Sequence, residues 1–426
     1  IIAALKKMGY QVASFKAGPD YIDSGFHEKV SERPCINLDA WICGQQNLPY
    51  LFDHYGSECD IGIVEGVMGL YDGLACDTIA CSSAHVANTI GLPVILVVDG
   101  SGVSLSAAAI VRGFIDFDTG TTIAGVIFNR VSGEEHYRLL KKAVESRTNA
   151  KCIGYLPAIE GFSMSERHLG LVPACETEGL NDTINQLAQS VLQNMDMQLL
   201  LNLCRQTPKA ALPEKIQTFI QKQENHMAGK RIGIAMDEAF HFYYKPNIDL
   251  LMTGAKITYF SPLHDQTPPD VDALYIGGGF PEVFAQELDA NDSFRAGLKR
   301  MLEADTPCYA ECGGLMYLCD RMEDMGGELR RMVGFFSHTV RMTRKLQRFG
   351  YAVVTTKTGQ TIHAHEFHCS VLEDSADAEY YFEVSKPDGS QSWPCGLRKQ
   401  NTIAGYPHLY FWDNPEVISE LFLKHK

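Results

Sequence analysis

Four short apolar runs, each closing on polar residues, set the strongest limit on what the first half of this chain can fold into. They span residues 11–16, 60–64, 92–99 and 123–128, and helix-length stretches separate them. A run that is apolar without alternation is buried on both faces, and strands alternating with helices build a doubly wound parallel sheet, an α/β fold. In such a sheet the ligand lies beyond the carboxyl ends of the strands. Those ends carry Asp20, Glu65, Asp72, Asp99 and Asn129. Carboxylates along that edge are candidates to hold Mg²⁺ on nucleotide phosphates. Asp20 and Asp23, beside Gly18 and Pro19, also have ordinary turn chemistry open to them.

The second half turns on residues 306–318. A short apolar run ends at Cys312, Gly313 and Gly314 follow, and Leu315, Met316, Tyr317 and Leu318 begin a helical pattern. A strand, a tight turn and a helix hold a nucleophile out of a sheet and beside the N–H groups that open the helix. Upstream, a strand at 272–276 runs into Gly277, Gly278 and Gly279. The backbone N–H groups of Gly278 and Gly279, with that of Gly313, suit an oxyanion hole. Downstream, a strand-like run at 403–411 carries His408. Taken alone, Cys312 reads as well as a buried core cysteine. With the glycine turn and the late histidine it reads as a Cys/His acyl-transfer site. In this order the residues resemble a class I, triad-type glutamine amidotransferase domain, which hydrolyses glutamine through a cysteinyl thioester. The resemblance implies Cys312 as nucleophile and His408 as base. Many such domains carry a Glu two residues after the histidine, whereas this chain has Tyr410, so the third member of the triad is unassigned.

At 426 residues the chain is too long for one ordinary core. It reads as an ATP- and substrate-binding synthetase domain at 1–190, a helix-and-linker passage at 191–229 and an amidotransferase domain at 230–426. The net charge of -15 disfavours nucleic acid or an anionic membrane as partner. No apolar run reaches the ~18 residues of a membrane span, and no signal peptide is expected. Thirteen cysteines without a CxxC pair fit reduced thiols, hence a cytoplasmic protein, better than a disulfide framework or a zinc site.

Residues 16–23 and 64–73 closely resemble the signature loops of the cobyrinic acid a,c-diamide synthase family, as do residues 166–171, 346–351 and 365–368. The matches run through both halves. They imply a P-loop-NTPase-like (dethiobiotin-synthetase-like) parallel-sheet domain followed by the amidotransferase domain. The implied enzyme is a glutamine-hydrolysing carbon-nitrogen ligase of cobalamin biosynthesis. It uses ATP and glutamine to amidate the a- and c-carboxylates of a corrin, cobyrinic acid, with phosphorylation of the carboxylate and displacement of phosphate by ammonia. The resemblance further implies Mg²⁺ held by Asp20 and Glu65. It places Asp20, Tyr21, Glu65, Asp72 and Lys16 at the substrate and phosphoryl site, and Asn129 at the nucleotide base. Lys16 reads equally as a solvated strand-end lysine, and Asn129 equally as the close of a turn.

Two alternatives stay open. The tetrapyrrole could be nickel sirohydrochlorin or hydrogenobyrinic acid, since the central metal is not written in the motifs. From another class comes a glutaminase-only or non-catalytic chain, because the family's first strand and glycine-rich P-loop are absent before the amphipathic stretch at residues 1–10. On that ground the chain reads as truncated. A homodimer is left open. The aromatic cluster of Phe240, Phe242, Tyr243 and Tyr244 reads as core, or as a stacking surface for a flat macrocycle. His363, His365 and His368 are split between strand faces, so His365 and Glu366 are expected to face substrate rather than a metal.

Overall fold

The protein is described here by a computed structural model covering residues 1–424 except 159–165, 168–169, 175, 178 and 374–377. His168 and Leu169 of the motif at 166–171 fall outside the described residues. Two compact units emerge, residues 1–40 with 45–211, and residues 41–44 with 212–426. The passage expected as a linker at 191–229 is divided between them and contains helices Met197–Leu203 and Glu214–His226.

In the first unit β1 (Val12–Ala17), β2 (Ile36–Leu38) and β3 (Ile61–Glu65) form a parallel sheet in the order β2-β1-β3. A second parallel sheet joins β4 (Val94–Asp99), β5 (Ile123–Val131) and β6 (Lys151–Pro157) in the order β4-β5-β6. Every residue of β1 is buried, as a continuous apolar run predicts. The parallel architecture is as expected, but the sheet comes in two pieces. Among the described residues β3 pairs only with β1, and β4 only with β5. Helices Ser106–Phe117 and Glu134–Glu145 bury Ala107, Val111, Leu140 and Val144 with Leu96, Val126 and Phe128 in one core. The opening helix, Ile2–Lys7, is shorter than the expected stretch, and Gly9 at φ 95 lies just beyond it. Its Ile2 and Leu5 share a cluster with Val12 of β1, Ile127 of β5 and Ile153 of β6, so one core underlies both sheets. A short antiparallel pair, β7 (Glu166–Arg167) and β8 (Gly170–Leu171), follows.

The second unit opens with β9 (Arg231–Ala235), β10 (Lys256–Phe260), β11 (Ala273–Ile276) and β12 (Cys308–Glu311). Then come β13 (Cys319–Glu323), β14 (Leu329–Arg331), β15 (Phe336–Met342), β16 (Arg348–Thr356), β17 (Thr361–His368) and β18 (Ser370–Glu373). The last four are β19 (Tyr380–Ser385), β20 (Ser392–Lys399), β21 (Thr402–Gly405) and β22 (His408–Leu409). Ten of these form one sheet in the order β10-β9-β11-β12-β21-β20-β19-β16-β17-β22, and β14-β13-β15-β18 form another. The larger sheet is parallel from β10 to β21 and antiparallel from there to β22.

That order has a geometric consequence. β21 and β22 stand five places apart, which would be roughly 24 Å in a flat sheet. Yet Gly405 and His408 are three residue steps apart, a reach of about 11 Å at most. The antiparallel half must therefore curl back, and it carries β17 to β22, where His365 is the register partner of His408.

Candidate active site

Cys312 follows the last residue of β12 and precedes helix Gly313–Leu318, as the sequence pattern predicts. Its backbone sits at φ 47, ψ -101, a conformation that non-glycine residues avoid. Such strain persists only where the surroundings enforce it. The Cys312 amide donates to Gly405 O at 2.7 Å, and Met316 N returns a bond to Cys312 O at 3.1 Å, so strand and helix pin the elbow from both sides. The glycines permit the close approach. A Cβ on Gly314 would lie 2.2 Å from Ile276 O, and one on Gly313 would lie 2.9 Å from Pro281 Cδ. Gly279 N is 3.2 Å from that same Gly313 position, so two of the three predicted oxyanion-hole glycines, Gly279 and Gly313, meet at the elbow.

His408 is 3% exposed, and its imidazole hydrogen-bonds the Cys312 side chain. Burial works to lower its pKa, but Cys312 and Glu311 outweigh that and push it up to about 10. The imidazolium is thus the favoured form of His408, a cation set beside the Cys312 side chain. Several contacts fix the ring. Its Nδ1 lies 3.5 Å from Glu311 Oε2, an ion-pair distance rather than a tight hydrogen bond. Its face stacks on His365 at 5.0 Å with an interplanar angle of 16°. The strand that carries it is clamped by Asn247, whose Nδ2 donates to Leu409 O at 2.7 Å and whose Oδ1 accepts from Phe411 N at 2.8 Å. Glu311 and Asn247 carry no sequence signal of their own.

Gly278 sets the distance between the glycine turn and the base, since a Cβ there would stand 2.5 Å from His408 Cε1 and 3.3 Å from Phe242 Cβ. Gly278→Ala is therefore expected to displace His408 and lower glutaminase kcat by about 100-fold, the scale of a misplaced catalytic group. A steady-state glutaminase assay with a thermal-melt control checks it, and an unchanged kcat would show that the ring has room to move.

Strands β16 and β17 pair Gly350 with Glu366 and Arg348 with His368, which brings the motifs at 346–351 and 365–368 side by side. His365 and Glu366 are the residues of β17 expected to face substrate. Both are buried, 5% and 3% exposed. His365 lies against His408, is held neutral by burial and by that neighbour, and its Nε2 shares a hydrogen bond with Tyr244 OH at 2.7 Å. Burial also raises Glu366 to about 7, although the Arg348 guanidinium opposes the shift. The aromatic cluster is mainly core: Phe240 and Tyr244 are buried, and Tyr243 OH donates to Ala235 O and accepts from Gly277 N.

In the first unit, register places Lys16 beside Glu65 on one side and Asn37 on the other. The Lys16 amine is 2.7 Å from Asp23, 3.0 Å from Glu65 and 3.9 Å from Asp20. The solvated reading of Lys16 is overturned, because the residue is 3% exposed. Burial opposes its charge, but Asp23, Glu65 and Asp20 outweigh burial and hold its pKa above the usual lysine range. Glu65 shows the reverse balance. Burial raises its pKa, yet His27, bonded to the same carboxylate oxygen, and Lys16 bring it down to about 2. Asp20 is raised by burial and by Asp23, while its Oδ1 accepts from Ile22 N and Asp23 N, which is the predicted turn chemistry.

Three carboxylates around one ammonium leave a negative excess and hard oxygen donors, and these suit Mg²⁺. Among the described residues no group of three or more acidic, His or Cys side chains is arranged as a metal cage. Mg²⁺ is usually held by one or two carboxylates together with phosphate oxygens, so Asp20 and Glu65 fit that pattern. Tyr21 sits at the start of helix Ile22–Ser31. Asp72 accepts from Gly69 N at 3.0 Å and shapes its own loop. Asn129 of β5 is the register partner of Asp99 in β4, and its Oδ1 accepts from Arg130 N. The twelve cysteines among the described residues are free thiols, and no described helix is long and apolar enough to cross a membrane.

Comparison with known proteins separates the two halves in the same way. Residues 1–172 match the family described as CobQ/CobB/MinD/ParA nucleotide binding domain, and residues 231–416 match the CobB/CobQ-like glutamine amidotransferase domain. A cobyrinate a,c-diamide synthase of Listeria innocua is 42% identical over 434 residues, covering 99% of this chain and 94% of that protein. Proteins of the same name from Streptococcus sanguinis and Clostridium tetani are each 40% identical. They cover 98% and 100% of this chain, and 93% and 95% of their own lengths.

Proposed function

Because this chain belongs to the cobyrinate a,c-diamide synthase family, a family of ATP-using, glutamine-hydrolysing ligases, we propose that it amidates the a- and c-carboxylates of cobyrinic acid with ammonia from glutamine. The observation that carries the reading is Cys312 on a strained elbow, hydrogen-bonded to a buried His408 whose pKa is raised to about 10. Cys312 Sγ attacks the side-chain amide carbon of glutamine, and the oxyanion that forms is met by the amides of Gly278, Gly279 and Gly313. His408 gives its proton to the departing nitrogen, releasing ammonia and leaving a thioester. Water, deprotonated by His408, then frees glutamate.

In the first unit the substrate carboxylate is activated by the γ-phosphate of ATP, and ammonia displaces the phosphate. Lys16 and the carboxylates beside it orient the reacting groups, with Asp20 and Glu65 as the residues that would hold Mg²⁺. Bound there, the ion supplies charge neutralisation for phosphoryl transfer between anions. Asn129 is assigned to the nucleotide base by family likeness alone.

The test is direct. The protein is incubated with cobyrinic acid, Mg·ATP and glutamine, and the corrin is analysed by mass spectrometry beside assays of ADP and glutamate. The expected result is diamide with one ADP and one glutamate per amide formed. Glutamate release without any corrin amide, at saturating ATP, would overturn the synthetase reading and leave a glutaminase.

A further inference from the structure

We propose that Glu311 is the positioning carboxylate of the glutaminase site, so that carboxylate and nucleophile come from consecutive residues and the place usually filled two residues after the histidine is left to the core. This rests on Cys312 and His408 being the glutaminase pair. Consecutive residues of a regular strand point to opposite faces, which would separate Glu311 from Cys312. The elbow removes that constraint. With Cys312 at φ 47, ψ -101 the chain leaves the strand geometry directly after Glu311, and both side chains reach the same imidazole.

The carboxylate is well committed to that place. Glu311 is 1% exposed, and its Oε1 accepts from Leu409 N at 3.1 Å, the residue next to the base. Its Oε2 faces His408 Nδ1 at 3.5 Å. A buried carboxylate is costly without a cationic or hydrogen-bonding partner. The other groups around it are the phenols of Tyr243, Tyr275 and Tyr309, all pushed well above the usual range first by burial and then, in part, by the charge of Glu311. Cationic compensation therefore comes from His408. Tyr410, at the position where a carboxylate was sought, is fully buried and packs against the Tyr244 ring at 4.8 Å.

The remaining titratable neighbours of His408 do not compete for this role. His365 stacks on its face and is neutral. Glu366, raised to about 7, and His368, lowered to about 4, lie on β17 and each senses the charge on His408. Cys312 is the nucleophile that His408 serves. Glu311 thus holds the ring orientation through Nδ1 and stabilises the imidazolium, acting on glutamine only through His408.

Glu311→Gln is the informative variant, since it keeps the volume and the Oε1 acceptor for Leu409 N–H and removes the charge. Glutaminase kcat should fall about tenfold or more, with KM for glutamine within about twofold. The sign of the pH effect follows from the raised pKa of His408. Without Glu311 that pKa drops, so the alkaline limb of the kcat profile should move to lower pH. Glu311→Asp should restore part of both effects. Parent-like kcat and an unmoved alkaline limb in Glu311→Gln would overturn the proposal, as would a lowered melting temperature with the limb unchanged. If Glu311→Gln fails to fold, Glu311→Ala, which also removes the charge, decides, because an unmoved limb there has the same meaning. Cys312→Ala, run in parallel, separates the cases: glutaminase activity surviving in it would sink the underlying assignment of the pair instead.

Discussion

Replacing Cys312 by alanine is expected to abolish glutamine-dependent amide formation while synthesis from added ammonium salt continues within about twofold of the parent rate. Deleting a nucleophile costs on the order of 10⁶-fold in kcat, so the glutamine-driven reaction should fall below detection. The selectivity follows from the location of the thiol. Cys312 lies in the second unit, on β12 and its elbow, whereas the phosphoryl chemistry is assigned to the Lys16 row in the first. Alanine keeps the Cβ that the backbone already tolerates at φ 47, so elbow strain is not altered and the loss is chemical rather than structural. The measurement is paired initial rates of diamide formation with glutamine and with ammonium chloride, and thermal melts as a control. A folded variant that loses both would show that Cys312 is not a dedicated glutaminase nucleophile.

The elbow was legible because its signal is local: an apolar run, one thiol, two glycines and a helical pattern in thirteen residues. The same holds for β1, which is buried along its whole length; β3 and β4 form where the apolar runs place them, but burial on both faces fails there, since β3 has no buried residue and Val97 of β4 is 63% exposed. What the sequence hid is non-local. Glu311 is disguised by strand alternation, which points it away from its neighbour until the elbow geometry is known. His27 reaches Glu65 across 38 positions, and Asn247 holds Leu409 and Phe411 from 162 and 164 positions away. No periodicity encodes such pairs.

The antiparallel half of the second sheet was also missed. Its strands mix charged and apolar residues, as in Arg348–Thr356 and Thr361–His368, because one face meets solvent or the curl of the sheet rather than a helix layer. His365 shows what that costs. A histidine on an alternating strand reads as outward and functional, but the sheet folds back and turns it into a neutral wall behind His408. Lys16 failed for a related reason. A lysine at a strand end is normally solvated, and only the convergence of Asp20, Asp23 and Glu65 makes a buried ammonium affordable.

Glu65→Gln is expected to suppress diamide synthesis about 100-fold or more, the scale of losing a charged group that helps hold a metal or phosphoryl, while glutaminase activity persists. The carboxylate pKa of about 2 means that Glu65 is ionised throughout the working range, so glutamine removes a real charge. Two consequences follow from its partners. Lys16 keeps Asp23 at 2.7 Å, but its 3.0 Å ion pair with position 65 becomes at most a neutral hydrogen bond, which weakens the hold on the ammonium from that side. The site also loses one of the two carboxylates proposed for Mg²⁺, so the apparent Mg²⁺ requirement of synthesis should rise.

The linkage carries a definite sign. A carboxylate whose folded pKa is depressed stabilises the fold above its unfolded pKa near 4, and that contribution disappears as pH falls toward about 2. The parent and Glu65→Gln should therefore differ in melting temperature at neutral pH and converge on acidification. Diamide synthesis at the parent rate under saturating Mg²⁺ and ATP would remove Glu65 from the phosphoryl site. A stability gap that fails to close at low pH would mean that its pairing with Lys16 and His27 is not what the charge is for.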